Sequence, residues 1–174
     1  MPASDQGVAA SAHRYQLVPR VLCFVFVDEA VLLLKGAADK KIWPGKYNGL
    51  GGHVERGESV LAAARREVRE EAGLEVDELR LRGVVTIDTG EAAGIGLFVF
   101  TAQAVSRELV PSTEGTLEWV PFERVAALDT VGDLPLLLTY LTRQAPDAPP
   151  FSARYWYDEG GQLIVEFENA AALA

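Results

Sequence analysis

Residues Gly52–Leu74 read GHVERGESVLAAARREVREEAGL, and this stretch decides how the rest of the chain is read. Its periodicity predicts a helix from about Ser59 to Ala72, stopped by Gly73 in the left-handed conformation. At about 100° per residue, Glu67, Glu70 and Glu71 fall on one stripe that spans an arc of roughly 100°. Leu61, Ala64, Val68 and Ala72 form a neighbouring apolar stripe that suits a core. Carboxylates three and four residues apart repel by a few tenths of a kcal/mol per pair. A hard divalent cation turns that repulsion into coordination, and Mg²⁺ commonly takes a few carboxylates together with substrate phosphates. On an ordinary helix the same glutamates form a solvated acidic face, so the surrounding residues must decide.

The pattern outside the stripe is highly constrained. Gly52 is followed after five residues by Glu58, and after seven more by Arg66-Glu67, Val68, Arg69, Glu70-Glu71, Ala72, Gly73 and Leu74. In every specified position this resembles the Nudix box. The resemblance implies an α/β fold, the Nudix α/β/α sandwich with a mixed β-sheet between helices. It also implies a Mg²⁺ or Mn²⁺ requirement and hydrolysis of a diphosphate bond in a nucleoside diphosphate linked to another group.

Composition bounds the alternatives. The chain has 174 residues, 49% of them apolar, enough for one domain with a sizeable core. The longest apolar runs, 21–27 and 30–34, have strand length and fall far short of the ~20 residues of a membrane span. Residues 1–14 lack the apolar stretch of a signal peptide and read as a flexible tail, leaving 15–170 as a single domain. Cys23 is the one cysteine. It reads as a small buried hydrophobe in a strand, and a cytoplasmic location fits. A net charge of -9 argues against a long nucleic-acid partner. It leaves room for a small nucleotide, because one pocket sets its own field through metal ions and a few basic groups.

Strands are expected over 17–27, 30–35, 81–88, 94–104 and 116–120, with a final hairpin over 151–157 and 163–167. The segment 36–46 reads as a polar loop carrying Lys40, Lys41 and Lys46, with a turn at Pro44-Gly45. A short helix is expected over 121–127 and an apolar helix over 134–142, followed by a proline-rich linker, 144–150.

The family resemblance also implies roles. Glu67, Glu70 and Glu71 would ligate the metal, together with the Gly51 carbonyl, where a glycine lets the backbone approach closely. Arg66 would hold one glutamate by charge-assisted hydrogen bonding. Glu58 lies on another stripe and would order the loop-to-helix junction, where the helix N-terminus favours a carboxylate. A carboxylate outside the box is expected at Glu114, with Glu118 its competitor inside a strand. The catalytic set is therefore Arg66, Glu67, Glu70, Glu71 and Glu114.

Substrate evidence lies outside the box. The stretch from Lys46 to Glu58, the run from Asp133 to Leu138 and the terminal hairpin resemble the MutT-like, oxidised-purine nucleoside triphosphatase branch. Asn48 is the candidate purine reader, since its amide offers a donor and an acceptor. It is equally readable as a turn residue before Gly49. Asp133, or less readily Asp129, would add a polar contact, and each also suits a helix N-cap. Trp43 would stack on a base or pack on the domain, and Lys35 completes the substrate-binding candidates. His53 stands where that branch has lysine, and it suits a phosphate contact or a structural role.

The leading expectation is hydrolysis of a purine nucleoside triphosphate, oxidised or not, to monophosphate and pyrophosphate. Dinucleoside polyphosphate or nucleotide-sugar cleavage is the alternative within the class. A non-catalytic nucleotide sensor is the alternative outside it.

Overall fold

The computed structural model describes residues 14–39 and 42–168. Apart from Arg14, the expected tail lies outside the described residues, as do Lys40, Lys41 and the last two residues of the expected 15–170 unit. The elements run β1 (Gln16–Val27), β2 (Ala30–Gly36), β3 (Tyr47–Asn48), α1 (Val60–Ala72), β4 (Val76–Ile87), β5 (Ala93–Ala104), β6 (Gly115–Pro121), α2 (Phe122–Val125), α3 (Leu134–Arg143), β7 (Phe151–Tyr157) and β8 (Leu163–Phe167).

β1 organises the sheet. It runs parallel to β5 from Gln16 to Phe26 but pairs with β2 over only Val25–Val27, beside their shared turn. β2 then diverges and pairs along its length with β6. The edge of β1 left by that divergence is taken by the glycine-rich segment. Cys23 and Leu50 exchange backbone hydrogen bonds of 2.7 and 3.1 Å, the Val21 N–H donates to Gly52 O at 2.9 Å, and the Val54 N–H donates to Pro19 O at 3.1 Å. Backbone donors and acceptors that would be costly to bury unpaired are thus satisfied, and the approach to α1 is fixed on the central strand. Beyond β5 the sheet continues through β4, β7 and β8, with β4 and β7 parallel.

Period-two alternation divides β1 between two cores. Val21, Cys23 and Val25 pack with Ala63, Ala64, Val68 and Ala72 of α1. Leu22 and Phe24 pack with Leu134, Leu137 and Leu141 of α3. The mixed sheet between helices is the expected architecture. Ser59 caps α1 through its hydroxyl, which accepts from the Ala62 N–H at 3.2 Å, and Gly73 closes it at φ 68°.

Four expectations need correction. Leu61 has the phase of the core stripe but stays exposed; in the first turn of α1 it is Val60 that packs against the core. β4 begins at Val76, five residues before the expected strand, because register shifts near Asp77–Arg80 and Leu81–Gly83 break the alternation that reveals a strand. The helix expected over 121–127 contracts to Phe122–Val125. The supposed linker is pinned at its start.

That pin is Arg82. It is buried on β4, and its guanidinium donates to Gln144 Oε1 at 3.1 Å and to the carbonyls of Gln144, Ala145 and Pro146 at 3.2, 2.8 and 3.0 Å. Carbonyls at and just beyond the C-terminus of α3 gain donors there, and a cation is favoured by the helix dipole. Arg82→Met should therefore lower unfolding free energy by about 2–4 kcal/mol through unsatisfied buried acceptors. Urea denaturation checks this; a loss below about 0.5 kcal/mol would contradict the pin.

Candidate active site

Gly51 and Gly52, held against β1, meet the acidic stripe of α1. Gly51 has φ 154°, and a Cβ there would lie 2.1 Å from Val21 O, so only glycine lets this segment lie flat on the strand. A Cβ on Gly52 would lie 2.4 Å from Glu67 Oε1. The absent side chain is the space Glu67 occupies. The Gly51 N–H donates to Glu71 Oε2 at 2.9 Å, which helps to satisfy a carboxylate that is otherwise buried.

Arg66 ties the rest together. Its five N–H donors are all engaged. Nε and Nη2 donate to Glu58 at 3.2 and 2.8 Å, Nη1 to Glu67 at 2.8 Å and Glu70 at 3.1 Å, and Nη2 also to His53 O at 3.0 Å. Sequence reasoning assigned this arginine one glutamate; the structure gives it three and a loop carbonyl. The bond to Arg66 holds the Glu58 carboxyl below its ordinary range, assisted by the Glu55 N–H. The same bonds raise the Arg66 guanidinium further, so it stays a cation.

Glu67 behaves differently. Burial pushes its carboxyl up despite Arg66, and the charges of Glu70 and Glu114 push the same way. Negative charge is therefore concentrated at a partly buried oxygen, the condition a cation relieves. Cys23, beneath the helix, is raised by burial and then by Glu71 and Glu67. Buried and held as a thiol, it is a core residue rather than a nucleophile.

A cavity of about 100 Å³ opens beside the stripe, lined in part by Gly51, Glu71, Glu114, Asn48, Trp43 and Lys46. Glu114, remote in sequence, thus shares one space with Glu71 and Gly51. Glu118 is committed elsewhere: its Oε2 accepts from Tyr47 Oη at 2.8 Å, and Arg124 lies 3.6 Å away. Among the described residues no three His, Cys, Asp or Glu side chains are gathered into a finished cage. Arg66 draws Glu67 and Glu70 to itself, and the Gly51 N–H draws Glu71. The donor set is nonetheless all oxygen and carboxylate-rich, which fits a hard divalent cation.

The substrate candidates are distributed unevenly. Trp43, at φ 52°, and Asn48 line the cavity. Asn48 Oδ1 accepts from the Gly49 N–H at 2.8 Å. Since a backbone N–H needs an oxygen acceptor, this bond fixes the amide's orientation and leaves Nδ2 as the outward group. Lys35 does not join them. It alternates away from Leu34 and Gly36, which line the cavity, and sits 5.5 Å over the Tyr47 ring. Asp133 starts α3 without making a side-chain cap bond, and burial raises its carboxyl. Asp129 is exposed and pairs with Lys46 at 2.6 Å.

Two residues outside the cavity lining carry buried polar atoms that sequence reasoning did not single out. Arg20 lies on β1 opposite His53, and Tyr155 is buried on β7. Their hidden polar atoms show only when partners are counted, which no spacing reveals.

Comparisons with known proteins agree with this geometry. A NUDIX domain model matches residues 16–140. An oxidized purine nucleoside triphosphate hydrolase of Danio rerio is 34% identical over 125 residues, covering 68% of this chain and 80% of that protein. An NAD-capped RNA hydrolase of Pseudomonas aeruginosa is 33% identical over 143 residues, covering 79% of this chain and 49% of the relative. Among solved structures, the mutator MutT protein of Bacillus halodurans superposes with a TM-score of 0.72 at 25% identity, covering 87% of this chain and 98% of that one. The stripe, the glycine approach and the matched domain together make this chain a member of the Nudix family, a Nudix hydrolase.

Proposed function

We propose that the protein hydrolyses a purine nucleoside triphosphate to the monophosphate and pyrophosphate, using Mg²⁺ or Mn²⁺. The observation that carries this reading is the meeting of Glu67 and Glu71 with the Gly51-Gly52 backbone, with Glu70 joined to Glu67 through Arg66, next to a cavity that also holds Glu114 and Asn48. The Danio rerio relative, an oxidized purine nucleoside triphosphate hydrolase, supports the substrate class. We assign the unit 15–170 as one domain acting in the cytoplasm on a small nucleotide, with no long nucleic acid or membrane partner. Among the described residues no helix is long and apolar enough to cross a membrane.

In this reaction a water oxygen bonds to phosphorus, the bridging P–O bond breaks, and pyrophosphate departs with the electron pair. Glu67, Glu70, Glu71 and the Gly51 carbonyl would hold the cation, with Glu114 as the outlying carboxylate ligand or base. When bound, such a cation neutralises phosphate charge and lowers the pKa of water. Arg66 keeps the glutamates of the stripe in register and compensates their repulsion. Gly52 leaves room for Glu67, and the bare backbone beside it lets phosphates approach. Asn48 presents Nδ2 to the base while Oδ1 maintains the turn.

Two experiments test this. With Mg²⁺ and a panel of nucleoside triphosphates, dinucleoside polyphosphates and nucleotide sugars, phosphorus NMR should show monophosphate and pyrophosphate from purine triphosphates as the fastest reaction. Diphosphate plus inorganic phosphate, or faster cleavage of the other classes, would contradict the proposal.

Asn48→Asp retains an oxygen for the Gly49 N–H but removes the donor. It should cut kcat/KM on purine triphosphates about tenfold to a hundredfold, the scale of a lost buried hydrogen bond, with a smaller loss on pyrimidines. Equal losses on both would make Asn48 a turn residue only.

A further inference from the structure

α3 is too short for the sheet it covers. Its ten residues rise roughly 15 Å, whereas a strand of twelve residues such as β5 runs about 40 Å. Past the C-terminus of α3 the same sheet face stays open, and a cleft of about 400 Å³ lies there, within the size range of small-molecule sites. It shares no residue with the cavity beside the acidic stripe, and the proposed reaction does not use it.

Register sets out the floor of this cleft. Phe26 on β1 stands beside Gln103 on β5, and Thr101, two residues back, stands beside Arg80 on β4. The floor therefore runs across three strands, from an aromatic end to a cationic one. Phe122 closes the aromatic end against Phe26, with ring centroids 5.6 Å apart, and buried Leu141 adds an apolar wall. Two strand spacings, roughly 10 Å, separate β1 from β4.

The charges at the other end do not cancel. Asp28 is paired with Arg107 at 2.9 Å, and Glu78 with Arg80 at 3.0 Å. Arg82 has no such partner. Its four hydrogen bonds all end on uncharged oxygens, and burial, then the charge of Arg80, press its guanidinium down from the ordinary range. One buried positive charge is left over, and an anion in the cleft would offset it.

β4 is also distorted here. Its register on β5 shifts between Asp77 and Arg80, and Glu78 inside the shift sits at φ 51°, an unfavourable conformation for a residue with a Cβ. Bulges re-aim side chains, and Glu78 and Arg80 both line the cleft. Arg80 keeps donors to spare: of its five N–H groups, one is bonded to Glu78 and one to Pro146 O at 3.3 Å.

A ligand that suits both ends has a flat apolar ring and an anionic group a few bonds away. A single carboxylate matches the single surplus charge, whereas a phosphate dianion would exceed it and meet Asp28 and Glu78. We propose that the cleft binds a small arylalkanoate anion, its ring on Phe26 and Phe122 and its carboxylate on the spare donors of Arg80. Thr101 and Gln103 lie beneath the short chain that joins the two groups. The site is independent of the triphosphatase reading.

The test titrates the isotope-labelled full chain with phenylpropionate and follows amide shifts by NMR, with phenylpropanol as the uncharged comparator. The amides of Phe26, Thr101 and Gln103 should shift together and saturate in the millimolar range expected of so small a ligand. The alcohol should bind at least about tenfold more weakly, the scale of a hydrogen bond to a charged group. Arg80→Gln should weaken phenylpropionate by a similar factor. Thr101→Phe, which fills the floor, should abolish the shifts of Phe26 and Gln103, and it carries the comparison if Arg80→Gln does not fold. No saturable shift at these amides up to about 50 mM, far above that range, would overturn the proposal. Equal binding of acid and alcohol, or wild-type affinity in either folded variant, would overturn it as well.

Discussion

The structure depends on one guanidinium. Without Arg66, the carboxylates of Glu58, Glu67 and Glu70 would crowd one end of the glycine approach with nothing to offset their repulsion. With it, they are fixed to one another and to the His53 carbonyl by five hydrogen bonds. The arrangement links the loop before α1 to the middle of α1 and so ties the glycine approach to the acidic stripe. Charge-assisted bonds of this kind are shorter and stronger than neutral ones, and the planar fork distributes them where a lysine could not.

That constraint works only because β1 supports the glycine segment from beneath. The early divergence of β1 and β2 exposes a strand edge, and Leu50–Val54 fills it. Glycines at 51 and 52 then serve two different contacts: one lets the chain lie against Val21, and the other makes room for Glu67. The fold thus delivers a carboxylate-rich, partly buried surface beside open backbone. A chain with a net charge of -9 can accept an anionic nucleotide here only through local cations, which makes the oxygen donor set the basis of the functional reading.

Much of this was legible in the sequence, for definable reasons. The helix, its serine cap, its glycine stop and the acidic stripe follow from periodicity and local chemistry, as do most strands. What escaped depends on long-range geometry. Leu61 has core phase but no sheet beneath it. β4 hides its first residues behind register shifts. Gln144 reads as linker until Arg82, 62 positions earlier in the chain, is seen to hold it. Glu118 and Glu114 are equivalent carboxylates in a sequence. They separate only when Tyr47 is found hydrogen-bonded to one and the cavity is found lined by the other. The turn role of Asn48 shows in the Gly49 N–H bond to its Oδ1, and only Nδ2 is left for the base contact proposed above.

The central claim is that the stripe on α1 is a catalytic metal site rather than a solvated acidic face. Glu70 tests it best, because it is exposed and its replacement should leave the fold intact. Turnover of a purine nucleoside triphosphate by Glu70→Gln, measured at saturating Mg²⁺, should fall by at least about 10², the scale of losing a key electrostatic or acid–base group. Turnover close to wild type would contradict the account.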